Sequence, residues 1–172
     1  FLGTGSGTLV LQETGSEDAD FSGVEQLRLH DGADWTLSGN LVSNTGDISI
    51  ETIGSSLLTH SGSLNGGSLI KTGSGTLKLS GTNTYTGSTV VSAGVLQAGS
   101  ISAFGNNSTT SVSSGAALDL AGFSNTLGSL SGAGTVTSSA TGNVTLTTGS
   151  DNTSTTFSGT INDGSGTFAL TK

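Results

Sequence analysis

A short glycine-rich unit recurs along the chain and restricts the folds that it can adopt. Glycine, then serine or alanine, then glycine and threonine lead into an alternating segment at residues 5–8, 73–76, 132–135 and 164–167. A second unit, Ser-Gly after an apolar residue, recurs at residues 21–24, 37–40, 79–82, 130–133 and 157–160. Repetition of this kind is typical of solenoids, in which one supersecondary unit is stacked many times.

Short segments of alternating apolar and polar residues lie between these units. Each has the length of an ordinary strand, and Gly, Asn, Asp or Ser separates it from the next. No stripe of apolar residues with helical spacing persists. The segments are residues 8–11, 24–29, 34–39, 47–51, 68–71, 76–80, 89–92, 95–98, 117–121, 143–148 and 167–171. The sequence therefore predicts an all-β fold, a parallel β-solenoid of some seven or eight coils about 35 Å long.

The alternation also predicts which side chains face the interior. The inward pairs are Leu9 with Leu11, Leu77 with Leu79, Leu118 with Leu120, Val144 with Leu146, and Phe168 with Leu170. The residues between them point outward: Val10, Lys78, Asp119, Thr145 and Ala169. Such columns allow a chain with only 31% hydrophobic residues to bury a continuous core.

A β-sandwich is the alternative all-β fold, since its strands also recur every 8–12 residues. The repeats argue against it, as does the rarity of the hairpin dipeptides Asn-Gly and Asp-Gly, examples of which are Asp31-Gly32 and Asp163-Gly164. The chain also lacks proline, and its single Trp35 has no cysteine pair to pack against. These features favour the solenoid.

The charge distribution excludes one class of partner. The net charge is −8, and nine of the twelve acidic residues lie in residues 1–60 with Arg28 as the only base there. Nucleic-acid binding through a basic surface is therefore excluded. The chain has no cysteine, no leader-like start at Phe1 and no apolar run of about 18 residues. We expect a secreted segment of a larger protein.

One stretch carries a specific resemblance. Residues 71–99, KTGSGTLKLSGTNTYTGSTVVSAGVLQAG, resemble the passenger-associated transport repeat of Gram-negative autotransporters. The residues in register with that pattern are Lys71, Gly73, Gly75, Thr76, Leu77, Leu79, Gly81, Asn83, Thr84, Tyr85, Gly87, Thr89, Val91, Gly94 and Leu96. Eleven of them are expected to have a structural role: Gly73, Gly75, Thr76, Leu77, Leu79, Gly81, Asn83, Tyr85, Gly87, Gly94 and Leu96.

The resemblance implies a fold and a location. It implies a right-handed parallel β-helix, exported through an outer-membrane β-barrel of the same full-length chain and displayed outside the cell or on its surface. Residues 100–139 are similar, more loosely, to sequence that follows such repeats. On this basis residues 1–172 form one β-helix segment: acidic coils over 1–60, the repeat over 71–99 and further coils over 100–172.

Asn83 and Tyr85 are predicted to lie in a turn of the repeat. Asn accepts left-handed backbone conformations and bonds to its own backbone in turns. The tyrosine ring is expected to cover the end of the apolar column while its hydroxyl stays in water.

No group of residues predicts catalysis or a cofactor. His30, Asp31 and Asp34 lie near Trp35, but neighbours in a strand point to opposite faces, and no Gly-x-Ser-x-Gly motif supplies a nucleophile. The acidic residues Glu13, Glu17, Asp18 and Asp20 offer oxygen ligands to Ca²⁺, yet their spacing matches neither an EF-hand nor a nonapeptide array. A solvated loop is the favoured interpretation, and no metal site is predicted.

The predicted function is structural. We expect a β-helical stem that supports export and folding, with host or neighbouring-cell surface molecules, or other copies of the chain, as partners in adhesion or self-association. Serine- and threonine-rich residues 108–114 and 150–156 either offer hydroxyls to a sugar or only solvate a strand face. The alternative is a carbohydrate-active β-helix, a lyase or glycosidase, which requires carboxylates and bases stacked on one face.

Overall fold

The computed structural model describes residues 7–44, 46–105 and 107–172. Gly5 and Ser6 of the first glycine-rich unit, and Phe1, therefore lie outside the described residues. The described part of the chain contains strands and no helix. The strands are β1 (Gly7–Leu11), β2 (Thr14–Glu17), β3 (Phe21–Ser22), β4 (Val24–Leu29), β5 (Asp34–Leu37), β6 (Leu41–Val42), β7 (Ile48–Thr52), β8 (Leu57–His60), β9 (Leu64–Asn65), β10 (Leu69–Thr72), β11 (Thr76–Leu79), β12 (Thr89–Val91), β13 (Val95–Ala98), β14 (Thr109–Val112), β15 (Ala117–Asp119), β16 (Asn125–Thr126), β17 (Ser129–Gly132), β18 (Thr135–Thr137), β19 (Asn143–Thr147), β20 (Thr160–Ile161) and β21 (Thr167–Thr171).

The strands stack as a parallel β-solenoid with three faces. Face A is the sheet β1-β4-β7-β10-β12-β14-β17, and face B is the sheet β2-β5-β8-β11-β13-β15-β18-β20. Each strand pairs in parallel with its equivalent one coil away, as in the register Ile50, Lys71, Val91 on face A. The eight strands of face B correspond to eight coils. The solenoid prediction is confirmed, and the sandwich alternative is wrong.

Face C differs from the other two because its sheet is interrupted. The strands β3-β6-β9 form it at one end and β16-β19-β21 at the other. Between β9 and β16, two coils cross this face without a strand, at residues 80–88 and 99–105. The interruption falls within and just after the stretch that resembles the transport repeat.

The core consists of inward columns of Leu, Ile and Val. On face B, the column Leu58, Leu77, Leu96, Leu118 and Val136 is fully buried. The predicted inward residues Leu11, Leu79, Leu120, Val144 and Leu146 are also buried, and Leu9 is half-buried. The alternation therefore identified most of the core.

The last strand departs from that prediction. Leu170 in β21 is 50% exposed and Phe168 is only half-buried. Strand β21 pairs with β19 on one side, and no described strand covers its other edge. Alternation determines the direction of a side chain, but burial also requires a neighbouring coil.

Asp119 points outward from face B, as the alternation predicts, but its side chain is not in water. It lies on the outer surface of face B but is only 4% exposed. Its carboxylate accepts hydrogen bonds from Ser139 N at 2.8 Å, Ser139 Oγ at 2.6 Å, Gln97 Nε2 at 2.8 Å and Ala121 N at 2.9 Å. Burial opposes its ionisation, but these hydrogen bonds together outweigh burial and lower the pKa of Asp119. These bonds hold the turn at Ala121, and Ser139 of the next coil, against the end of β15.

A column of glycines marks one corner of the solenoid. A Cβ atom on Gly81 would lie 1.9 Å from the carbonyl oxygen of Gly62, and one on Gly62 would lie 2.1 Å from that of Gly39. Successive coils approach so closely here that only hydrogen fits. In the Ser-Gly units that contain Gly39 and Gly81, the glycine is therefore required by coil-to-coil contact, whereas Gly23 and Gly132 of the same repeat have φ values of 73° and 107°.

Candidate functional site

Four polar side chains are buried in the coil that resembles the transport repeat. They are Lys71, Asn83, Tyr85 and Thr89, and each is 4% exposed or less. Polar groups are rarely buried to this extent unless they are hydrogen-bonded, and lysine is among the rarest. We call these four residues the buried polar set.

Lys71 occupies an inward position on face A between Ile50 and Val91. Its Nζ donates hydrogen bonds to the carbonyl oxygens of Thr72 at 2.7 Å, Gly73 at 2.8 Å and Ala93 at 3.1 Å. Burial lowers the pKa of Lys71 to about 8, and the charge of Glu51 offsets this only in part. The ammonium thus ties the corner of its own coil to the corner of the next coil.

The side-chain amide of Asn83 makes hydrogen bonds on face C where no strand supplies them. Its Oδ1 accepts a hydrogen bond from Leu64 N at 2.9 Å, and its Nδ2 donates to the carbonyl oxygen of Ala103 at 2.5 Å. Leu64 belongs to the preceding coil and Ala103 to the following one. The prediction that Asn83 bonds to its own turn is wrong, because the interrupted sheet leaves backbone groups on both sides that the amide satisfies.

Tyr85 begins a chain of buried hydroxyl groups. Its hydroxyl lies 2.7 Å from Thr89 Oγ1, which lies 3.0 Å from Ser108 Oγ. Ser108 Oγ donates to the carbonyl oxygen of Gly87 at 2.8 Å. Because the only hydroxyl proton of Ser108 is used in that bond, Thr89 donates to Ser108 and Tyr85 donates to Thr89.

The tyrosine hydroxyl is therefore not in water, which corrects the sequence prediction. Tyr85 is 2% exposed. Burial raises its pKa despite the hydrogen bond to Thr89. The ring occupies space left by Gly105 of the next coil, where a Cβ atom would lie 2.5 Å from Tyr85 Cε2. Gly105 follows the motif, and sequence reasoning missed its pairing with the ring.

The other motif residues line the path of the coil. Leu77, Leu79 and Leu96 are buried in the columns of face B, and Thr76 is half-buried on its outer surface. The corner residues Gly73 and Gly94 have φ values of 71° and 66°, a region that favours glycine. Gly75, Gly81 and Gly87 lie against the preceding coil, where a Cβ atom would be 2.6, 1.9 and 2.5 Å from its nearest atom.

His60 is a further buried polar residue, in the preceding coil. It occupies an inward position of face B between Leu37 and Leu79. Its Nε2 lies 3.1 Å from the carbonyl oxygen of Gly39. Burial lowers its pKa to about 4, and the hydrogen bond to Gly39 offsets this only in part. His60 is therefore neutral at pH 7.

We expect the chain to lose stability as the pH falls from about 6.5 towards 4 because of His60. Its pKa is lower in the folded chain than in the unfolded chain, so the unfolded chain binds the proton first. The full loss is about 3 kcal/mol. Urea denaturation at a series of pH values measures this loss. In His60→Leu, whose side chain matches its column neighbours Leu37 and Leu79, the free energy of unfolding should change little with pH above pH 4.5. An unchanged slope in that variant would assign the pH dependence to another group.

The residues considered for catalysis are not brought together as an active site. Asp31 Oδ1 accepts a hydrogen bond from Ser55 N at 2.8 Å in the adjacent turn, and the ladder neighbours of Asp34 are Thr14 and Leu57. Trp35 Nε1 donates to the carbonyl oxygen of Gln12 at 3.2 Å.

The acidic residues near the start of the chain make local contacts. Asp20 Oδ1 accepts from Asn40 N at 2.7 Å, and Glu17 Oε1 accepts from Asp18 N at 3.1 Å. Among the described residues, no group of three or more His, Cys, Asp or Glu side chains is arranged to hold a metal ion. Over the same residues, no helix is long and apolar enough to cross a membrane.

Comparison with known proteins identifies the coil that carries the buried polar set. Residues 69–98 match the family model of the passenger-associated-transport-repeat. The chain is also similar to the adhesin BmaC autotransporter of Brucella suis biovar 1 (strain 1330), with 44% identity over 138 residues. The chain is an autotransporter passenger segment. The alignment covers 74% of this passenger segment and 4% of the length of that relative. No solved structure matches it.

Proposed function

We propose that this passenger segment is a length of rigid β-helical stem, displayed outside the cell, in which the coil 69–98 fixes the stacking register. The observation that carries the proposal is the pattern of hydrogen bonds made by the buried polar set. Asn83 reaches both neighbouring coils, while Lys71 and the Tyr85–Thr89–Ser108 chain reach the following coil.

Buried polar groups select one register because their partners must all be present at once. A slip of the stack leaves a buried donor or acceptor unpaired, at a cost of about 1–3 kcal/mol for each group. Leucine columns alone discriminate less, since adjacent coils present similar side chains. A coil with a defined register is a suitable template for the next coil during export, and in a solenoid each coil contacts only its neighbours.

The stem role is non-enzymatic, and we extend it to adhesion. The matched relative is named an adhesin, which supports adhesion as a role of the displayed protein, with a surface molecule or another copy as partner. The same relationship supports export through a barrel translocator in the full-length chain. The alternative of a lyase or glycosidase gains no support from Asp31 and Asp34, whose contacts are those of turn and strand residues.

The stem proposal is tested by Asn83→Ala in the full-length protein. We expect less passenger at the cell surface, measured with an antibody to an extracellular tag and normalised to total protein, because stacking fails at the interrupted face. Thr84→Ala is the matched control, since Thr84 is the exposed neighbour. Equal display of the two variants would contradict a role of this coil in export.

A further inference from the structure

The interruption of the sheet on face C leaves a groove in the surface. The groove has a volume of about 640 Å³, which lies in the range of small-molecule sites. It crosses the two coils that lack a strand on this face. It is lined by Thr82, Asn83, Thr84, Tyr85, Thr86, Ile101, Ser102, Phe104 and Thr126.

The lining is neutral although the chain carries a net charge of −8. None of the nine lining residues is acidic, basic or a histidine. Four of the lining residues, Thr82, Thr86, Ser102 and Thr126, carry a hydroxyl group that forms no hydrogen bond to another described residue. These groups are consequently available to an outside partner as both donors and acceptors.

An apolar side chain stands at the same site. Ile101 is 73% exposed, more than any other large hydrophobic residue among those described. Exposure of a single isoleucine is ordinary. Here, however, the isoleucine lies beside the hydroxyl groups, so one ligand can contact both.

The floor of the groove is held in place by the buried polar set. Asn83 is bonded to both neighbouring coils, and the Tyr85 ring is packed against Gly105 with its hydroxyl bonded to Thr89. A site on such a floor loses little conformational freedom when it binds a ligand.

We propose that this groove binds a neutral saccharide. A sugar has hydroxyl groups that pair with the four free hydroxyls and an apolar C–H surface that packs on Ile101. A ligand with carboxylate or sulfate groups would find no cation in the groove, and a cationic ligand would find no carboxylate there. The proposal rests on the adhesive part of the proposed function and supplies its ligand class.

The experiment titrates the folded chain with cellohexaose, mannohexaose, galactohexaose and chitohexaose, and with hexagalacturonate as the anionic counterpart, while amide chemical shifts are recorded. We expect at least one neutral hexasaccharide to change the amide chemical shifts of residues 82–86, 101–102 and 126, and hexagalacturonate to change none of them. The absence of shifts with all four neutral sugars, or equal shifts with hexagalacturonate, would overturn the proposal.

Two variants locate the binding. Thr86→Val removes a hydroxyl while keeping the shape of the side chain, and Ile101→Ser removes the apolar surface; each should weaken binding about fivefold. Thr160→Val and Val10→Ser are the matched exposed controls on other faces, and they should bind as the unchanged chain does. Equal affinity of all four variants would also overturn the proposal. The two proposals can fail separately. If Asn83→Ala is displayed normally but the unchanged chain binds a saccharide, the export role is refuted and the groove proposal stands.

Discussion

Replacing Gly81 with alanine should lower the free energy of unfolding by about 3 kcal/mol or more. The new Cβ atom would lie 1.9 Å from the carbonyl oxygen of Gly62 and 2.8 Å from that of Ser61. Both are backbone atoms of the adjacent coil, so no side-chain rotation relieves the overlap. Relief requires the two coils to separate at this corner, which weakens the ladder hydrogen bonds on either side.

Urea denaturation of Gly81→Ala and of Ser80→Ala measures this effect. Ser80 is the neighbouring residue and is half-buried. Because serine already has a Cβ atom, Ser80→Ala creates no overlap with the adjacent coil and should change the free energy of unfolding by less than about 0.5 kcal/mol. The comparison has a clear opposite outcome. A glycine-to-alanine change without strain stabilises a protein by about 0.4–1 kcal/mol through the unfolded chain, and a gain of that kind would show that the coils are not in contact at Gly81.

Faces A and B follow from the sequence because one rule governs both. In a stack of parallel strands, a residue that faces inward has inward neighbours above and below, so alternation within a strand fixes the column. Leu77 and Leu79 were placed correctly by alternation alone. The glycine-rich units at residues 73–76 and 132–135 lie at the corner between these two faces.

Face C could not be derived in this way. Residues 82–86 alternate Thr82, Asn83, Thr84, Tyr85, Thr86, and the pattern does place Asn83 and Tyr85 inward. It does not reveal that no strand forms there, and without that fact an inward asparagine reads as a turn residue. The partners Ala103 and Ser108 lie in the next coil, about twenty residues on, where no local signal connects them to the motif.

Lys71 shows a similar limit. It lies two residues after Leu69 in β10, so alternation places both side chains on the inward face. A charged residue is nevertheless ordinarily expected to be exposed. The three carbonyl oxygens that accept its hydrogen bonds come from the same corner of two successive coils. Their convergence is a property of stacked coils and is absent from any short stretch of sequence.

Replacing Asn83 with alanine should lower the free energy of unfolding by about 3 kcal/mol. The change leaves Leu64 N without its acceptor and the carbonyl oxygen of Ala103 without its donor, and each buried unpaired group costs about 1–3 kcal/mol. Urea denaturation measures the loss, and Thr84→Ala, at the exposed neighbouring position, should lose less than about 1 kcal/mol. Similar losses in both variants would show that the amide does not replace the missing ladder.

The Asn83→Asp variant separates the two hydrogen bonds of this side chain. One carboxylate oxygen can still accept from Leu64 N, but the other faces the carbonyl oxygen of Ala103 and repels it when ionised. The pKa of the new carboxyl group is therefore raised in the folded chain above its unfolded value of about 3.9. A raised pKa contributes stability below the unfolded pKa that is lost as the pH rises through the folded pKa. The deficit of Asn83→Asp relative to the unchanged chain, measured at the same pH, should accordingly be smaller near pH 4 than at pH 7, because the protonated acid donates to Ala103 as the amide does. A deficit that is constant over this range would show that Ala103 does not receive a hydrogen bond from this position.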